Sequence, residues 1–252
     1  MPGSTVKMVI ASSKCRPHRE KSPMGDEDPL DQLNEICNIF DGENMRFWVD
    51  GGTLLGLYRD NKLLDSDPDI DISVIHSDKS LVSTLLKKTN IQYKIQTKTY
   101  NGNVVSYKLI PDKQSHRQVD IKVFQKGKFI DGSQYYWTPI PNISFNSDST
   151  LVNTVRKGVK YVFQFANRNK SGNINLNSVI LKPFVTIGSC LIPSHHLNDF
   201  TNIGDKLRAP QKIEKYLTYR FGNWQVPDNE WYYWEDDNSI LHCAPEAILA
   251  IY

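Results

Sequence analysis

Between Asp69 and Val74 a polar residue alternates with a branched apolar one: Asp69-Ile70-Asp71-Ile72-Ser73-Val74. No other feature of the chain constrains its fold as tightly. On a β-strand, side chains two apart share a face. Ile70, Ile72 and Val74 therefore belong against a core, while Asp69 and Asp71 stand side by side on the other face. Adjacent carboxylates repel, and a bound cation is the simplest relief. Ligands that are all oxygen favour a hard ion, so Mg²⁺ or Mn²⁺ is expected. Val119-Asp120-Ile121 places a third acid between apolar neighbours. A carboxylate there is costly unless it faces a site. If its strand lies beside the first, Asp69, Asp71 and Asp120 form a catalytic triad of metal ligands, and Asp120 is the candidate base for a hydroxyl proton.

The approach to this strand is also patterned. Phe47-Trp48-Val49 predicts a short strand, and Gly51-Gly52 predicts a sharp turn at which backbone can come close to a ligand. Thr53 is expected to cap a short helix through Tyr58, whose free N–H groups suit a phosphate. Arg59, near the end of that helix, is expected to pair with a phosphate or with one of the acids. Alternation puts Lys122 on the Asp120 face, within reach of a donor phosphate, with Lys108 the weaker candidate. Gly51, Gly52, Thr53, Arg59 and Lys122 are thus the candidate substrate-binding residues. A lone Asp-x-Asp is usually a solvated turn; strand, glycine pair, helix, arginine, acidic strand and isolated acid in that order point to catalysis.

Elsewhere, Leu33, Ile36, Cys37 and Phe40 recur at helical spacing and stop at Asp41-Gly42. Leu81 to Leu86 looks helical. Ile91 to Thr99, Val104 to Ile110 and Val119 to Phe124 read as strands, the last two joined by a polar turn at Asp112 to His116. Trp137 to Pro141 reads as a proline-punctuated loop, Leu176 to Ile180 and Phe184 to Ile187 as short strands, and Gln211 to Tyr219 as a helix. The fold expected is α+β: a mixed β-sheet flanked by helices, with an aromatic-rich C-terminal elaboration. Residues 1–28 are expected to form a mobile tail and residues 29–252 one domain. A formal net charge of +2 without a concentrated basic face argues against a nucleic-acid binder. Four cysteines with no close pair give neither a zinc motif nor a disulfide framework. His195-His196 reads as a surface or loop pair. No apolar stretch reaches the length of a transmembrane segment, and none has the core of a signal peptide. A cytoplasmic location is the resulting expectation.

The order of these motifs resembles the nucleotidyltransferase-fold superfamily. The wording is similar to the LicD/fukutin-related family, whose members read Asp-Gly-Gly-Thr-Leu-Leu-Gly, then Arg, then an acid-rich run. Asp50 to Gly56 and Arg59 match, as do Asp67, Asp69 and Asp71, with Pro68 in place of the family's middle acid. The stretch from Tyr216 to Trp224 with Pro227 resembles the family's C-terminal signature; from the residues alone those aromatics read as core. The resemblance implies transfer of a phospho-alcohol, such as phosphocholine or ribitol phosphate, from a CDP-activated donor to a hydroxyl of a glycan or glycolipid acceptor. Asp67 is left as a peripheral ligand or as the group that orients Arg59. Two other functions are weighed: a nucleotidyltransferase that places NMP from an NTP on a small molecule or protein, and a non-catalytic carbohydrate-binding module with vestigial acids.

Overall fold

The first helix, α1 (Pro29–Gly42), starts where Asp28 accepts a hydrogen bond from Leu30 N (2.9 Å) ahead of a proline that needs no N–H partner. It buries Leu33, Ile36, Cys37 and Phe40. The computed structural model describes residues 28–75, 85, 88–129, 131–142, 172–176, 186–204, 206–228 and 230–243. The expected tail lies outside these residues except for Asp28. Most of the Leu81 to Leu86 helix does too, although Leu85 is helical and fully buried.

After α1 come β1 (Phe47–Val49), α2 (Gly51–Asp60) and β2 (Asp69–Ile75). Then follow β3 (Tyr93–Tyr100), β4 (Asn103–Pro111), β5 (Gln118–Lys128), β6 (Gln134–Asn142), β7 (Gly172–Asn175) and β8 (Thr186–Pro193). A 3₁₀ turn at Ser194–His196 leads to β9 (Phe200–Ile203) and β10 (Leu207–Pro210), and the described chain ends with α3 (Ile213–Phe221), α4 (Tyr233–Asp236) and β11 (Ile240–Leu241). Among the described residues the main sheet runs β11-β8-β6-β5-β4-β3-β7. Strand β2 lies parallel to β5, and β1 lies antiparallel to β2. The fold is therefore α+β, a mixed but mainly antiparallel sheet with few helices. No helix among the described residues is long and apolar enough to cross a membrane.

Two expectations need correction. Trp137 to Pro141 is not a loop but the second half of β6, paired with β8 from Tyr135↔Pro193 to Asn142↔Thr186. Proline is tolerated there because β5 pairs β6 only as far as Trp137. Pro139 and Pro141 share parity, so both missing N–H groups fall on the side β5 has left. The strand sought at Leu176 to Ile180 lies just upstream, in β7, and residues 177–180 lie outside the described set.

Register decides what meets what. In β2–β5, Asp71 is opposite Asp120 and Ile72 is opposite Ile121. In β5–β4, Asp120 is opposite Lys108, and in β4–β3 Lys108 is opposite Gln96. Ile70, Ile72, Val119, Ile121 and Leu109 are fully buried on the other face, in the core cluster that also holds the α1 residues. Burying that face at roughly 25 cal/mol per Å² of apolar area fixes the polar face toward the site.

Candidate metal and substrate site

Helix α2 opens at Gly51, whose φ of +57° lies in the left-handed region that favours glycine. Thr53 is thus inside the first turn and not the cap; Asp50 holds the cap position without a side-chain cap bond. Thr53 Oγ1 instead accepts a hydrogen bond from Asp71 N at 2.8 Å, which ties the helix start to the acidic strand. A Cβ on Gly51 would overlap the Asp71 carboxylate, and a Cβ on Gly52 would overlap Asp67 Oδ2. The glycine pair therefore lets two carboxylates press against the N-terminal turn of α2, where the helix's partial positive charge favours them.

Asp67, Asp69 and Asp71, all partly buried, can each offer an oxygen within 4.8 Å of the others. The cluster found in space thus includes Asp67 in place of Asp120. Arg117 explains how Asp67 is held: its Nη1 donates to the carbonyls of Leu64 (3.2 Å) and Asp67 (2.8 Å), pinning the loop before β2. Arg117 is itself fixed by Gln32, which accepts from its backbone N at 2.9 Å. Asp120 stands one strand over, beside Lys108 (3.6 Å); its Oδ1 is buried and has no hydrogen-bond partner. Burial and the fields of Asp120, Asp71 and Asp67 push the Asp69 carboxyl up to about 8. Burial also raises Asp71, against the opposing pull of Lys122. Crowded carboxylates of which Asp69 and Asp71 are raised, a buried Asp120 oxygen without a hydrogen bond beside them, and a glycine cradle that a Cβ would fill all fit a hard divalent cation.

Lys122 donates to Asp71 Oδ1 at 2.9 Å. Burial disfavours its charge, but Asp71 and Asp50 outweigh burial and hold the ammonium above its ordinary range. Arg59 is not brought to the acids. It lies eight residues beyond Gly51, about 12 Å along the helix axis, where it makes a two-pronged pair with Asp60 (2.8 Å for each contact) and reaches the carbonyl of Trp224. Neither Asp67 nor any other acid of the cluster contacts it.

The sequence reading missed the group behind the site. Asp50, fully buried, accepts hydrogen bonds from Ser73 Oγ (2.6 Å), Tyr216 Oη (2.7 Å) and Arg220 Nη1 (2.8 Å). Burial opposes its charge, yet Arg220 and Lys122, with the two hydroxyls, hold the carboxyl well below its ordinary value. Arg220 also grips buried Asp237 through Nε (2.9 and 3.0 Å) and Nη2 (2.5 Å). Trp48 Nε1 donates to Tyr216 Oη (3.2 Å). The C-terminal Tyr216 to Trp224 stretch is therefore locked to the residue just before the glycine pair. Tyr216, Trp224 and Trp234 are buried, as aromatics in a core should be. His196 packs on Tyr219 (5.0 Å) and contributes nothing to the acidic cluster.

Residues 44–150 match the family model described as LicD/FKTN/FKRP, nucleotidyltransferase domain. Over those residues the chain is similar to the LicD family. The match spans β1 to β6 and so contains every candidate site residue, while the Tyr216 to Trp224 stretch lies beyond it. No curated protein matches the chain. The likeness to a nucleotidyltransferase domain accounts for the order of motifs around α2 and β2.

Proposed function

We propose that this chain transfers a phospho-alcohol, such as phosphocholine or a polyol phosphate, from a CDP-activated donor to a hydroxyl of a glycan or glycolipid. The observation that carries this reading is the convergence of Asp67, Asp69 and Asp71 on the glycine-opened N-terminus of α2, with Lys122 bonded to Asp71. Asp67, Asp69 and Asp71 would hold Mg²⁺ or Mn²⁺, with Asp120 as an additional ligand or neighbour. When bound, such an ion neutralises the donor diphosphate and stabilises the departing CMP.

The remaining chemistry belongs to side chains and backbone. The free N–H groups at the start of α2 point toward a phosphate placed beside the carboxylates. Lys122, fully charged, lies where negative charge gathers as the bond to CMP breaks. Asp120, whose Oδ1 makes no hydrogen bond and lies 3.6 Å from Lys108, is suited to accept the proton of the attacking hydroxyl. Thr53 and Arg117 hold Asp71 and Asp67 in register, which limits reorganisation during the reaction.

The test offers the protein CDP-choline, CDP-ribitol and CDP-glycerol in one set of reactions and α-labelled NTPs in another. Release of CMP from one of the CDP-alcohols, with no nucleotide label left on an acceptor, is expected. Labelled nucleotide on an acceptor, with every CDP-alcohol intact, refutes the proposal.

A further inference from the structure

Lys98 of β3, Lys108 of β4 and Lys122 of β5 lie on the face that holds the acids. Ser73, Lys122, Ser106 and Lys98 lie in one cross-strand row, and Asp71, Asp120, Lys108 and Gln96 lie in the next. Lys108 and Lys122 already have carboxylate partners, Asp120 and Asp71. Lys98 makes no ion pair among the described residues. It is nevertheless partly buried, in the cross-strand row that holds Ser106 and Lys122, and the fields of Asp120, Lys108, Lys122 and Asp69 all reach it. Burial and the two neighbouring lysines draw it below the usual lysine range. A partly buried cation that shares a face with two others is relieved by an anion.

We propose that Lys98, Lys108 and Lys122 form one anion-binding face that takes a diphosphate, with Lys98 contacting the phosphate farther from Asp69 and Asp71. This rests on the phosphotransferase reading and deepens it by assigning the part of the donor that the sheet recognises. Strands are spaced about 4.8 Å apart, so Lys98 and Lys122 start roughly 10 Å apart, with Ser106 between them. Their four-carbon stems can converge on an extended anion better than on a compact one. The formal charges agree. Asp67, Asp69, Asp71 and Asp120, all ionised once they hold their ion, against three lysines sum to one negative charge, and the divalent cation turns that into one positive. The face therefore accepts an anion once the carboxylates hold their ion. Diphosphate should be preferred over monophosphate, and Lys98 should contribute to the difference.

The experiment measures calorimetric binding of inorganic pyrophosphate and of inorganic phosphate to the whole chain in Mg²⁺, for wild type, Lys98→Gln, Lys98→Arg and Lys94→Gln. Lys94 lies on the same strand but is paired with Asp112 (3.2 Å), and serves as a control. Loss of a charge-assisted contact should weaken pyrophosphate binding by about tenfold or more in Lys98→Gln. Lys98→Arg should retain most of the affinity, and Lys94→Gln all of it. Binding of Mn²⁺ alone, followed by its paramagnetic signal, should be unchanged or slightly tighter in Lys98→Gln, because a repelling charge has gone. A purely structural lysine would weaken both ligands together, which overturns the proposal. So does wild-type protein that does not bind pyrophosphate, or Lys98→Gln that binds it normally. Lys98-dependent pyrophosphate binding without any CDP-alcohol turnover would keep this anion face and reject the donor. Turnover of a CDP-alcohol with pyrophosphate binding indifferent to Lys98 would do the reverse.

Discussion

Replacing Arg220 with methionine should damage the fold more than any change at the acidic cluster. Arg220 is 4% exposed and serves two buried carboxylates at once, Asp50 at 0% and Asp237 at 3%. Methionine fills much of the volume but leaves Asp50 with the hydroxyls of Ser73 and Tyr216 and the field of Lys122, and Asp237 with the N–H and hydroxyl of Ser239. Breaking a buried pair from one side costs about 3–5 kcal/mol, and for a chain of this size each kcal/mol lowers Tm by roughly 2–4 °C. The expected fall is therefore about 6–20 °C by circular dichroism. In wild type the Asp50 pKa is depressed, so its stabilising contribution is present above the ordinary carboxylate range and is lost as pH falls toward the depressed value. In Arg220→Met the largest part of that contribution is gone, and the gap from wild type should narrow as pH drops. Adding Asp50→Asn removes one stranded charge, so the double variant should be more stable than the sum of the two single losses predicts. A fall below about 2 °C, or strict additivity in the double variant, would refute the claim that this arginine neutralises both acids.

Three further outcomes follow from the site. Gly52→Ala forces a methyl into Asp67 Oδ2 and should weaken Mn²⁺ binding by at least about tenfold with little loss of Tm, read by paramagnetic resonance and thermal melting. Arg117→Gln should do the same more mildly by releasing the Leu64–Asp67 loop, and unchanged Mn²⁺ affinity would contradict its clamping role. Without metal, Asp69, raised to about 8, binds a proton in the folded protein that the unfolded chain has already lost. Its effect is therefore a stability that declines as pH rises from the ordinary carboxylate range through about 8. Tm should fall over that interval, Mg²⁺ should restore more of it at the alkaline end, and calorimetry in buffers of different ionisation enthalpy should register proton release when the metal binds at neutral pH.

What could be read in the sequence was what short-range periodicity encodes. Ile70, Ile72 and Val74 announced their strand because burial has a period of two, and Leu33 to Phe40 announced α1 because burial has a period of 3.6. Asp69 and Asp71 followed from the same alternation. Asp67 was harder: Pro68 interrupts the strand, and Arg117, far along the chain, decides where the carboxylate rests. Thr53 was misjudged as the cap because a threonine after glycines satisfies the local rule, whereas the left-handed Gly51 lets the cap fall three residues earlier, at Asp50. The Asp50–Arg220 pair could not be read, since the two residues lie 170 positions apart and only the fold joins them. The identity of β6 was hidden because prolines mark loops unless the neighbouring strand has already departed.

The most direct measurement is CMP release from a CDP-alcohol panel in Mg²⁺, with wild type beside Asp71→Asn, whose change removes one ligand charge while keeping its shape. The account predicts release by wild type that stops on chelation of the metal and falls by at least about a hundredfold in the variant while the melting curve stays cooperative. Release that continues unchanged in Asp71→Asn, or in the presence of chelator, would contradict it.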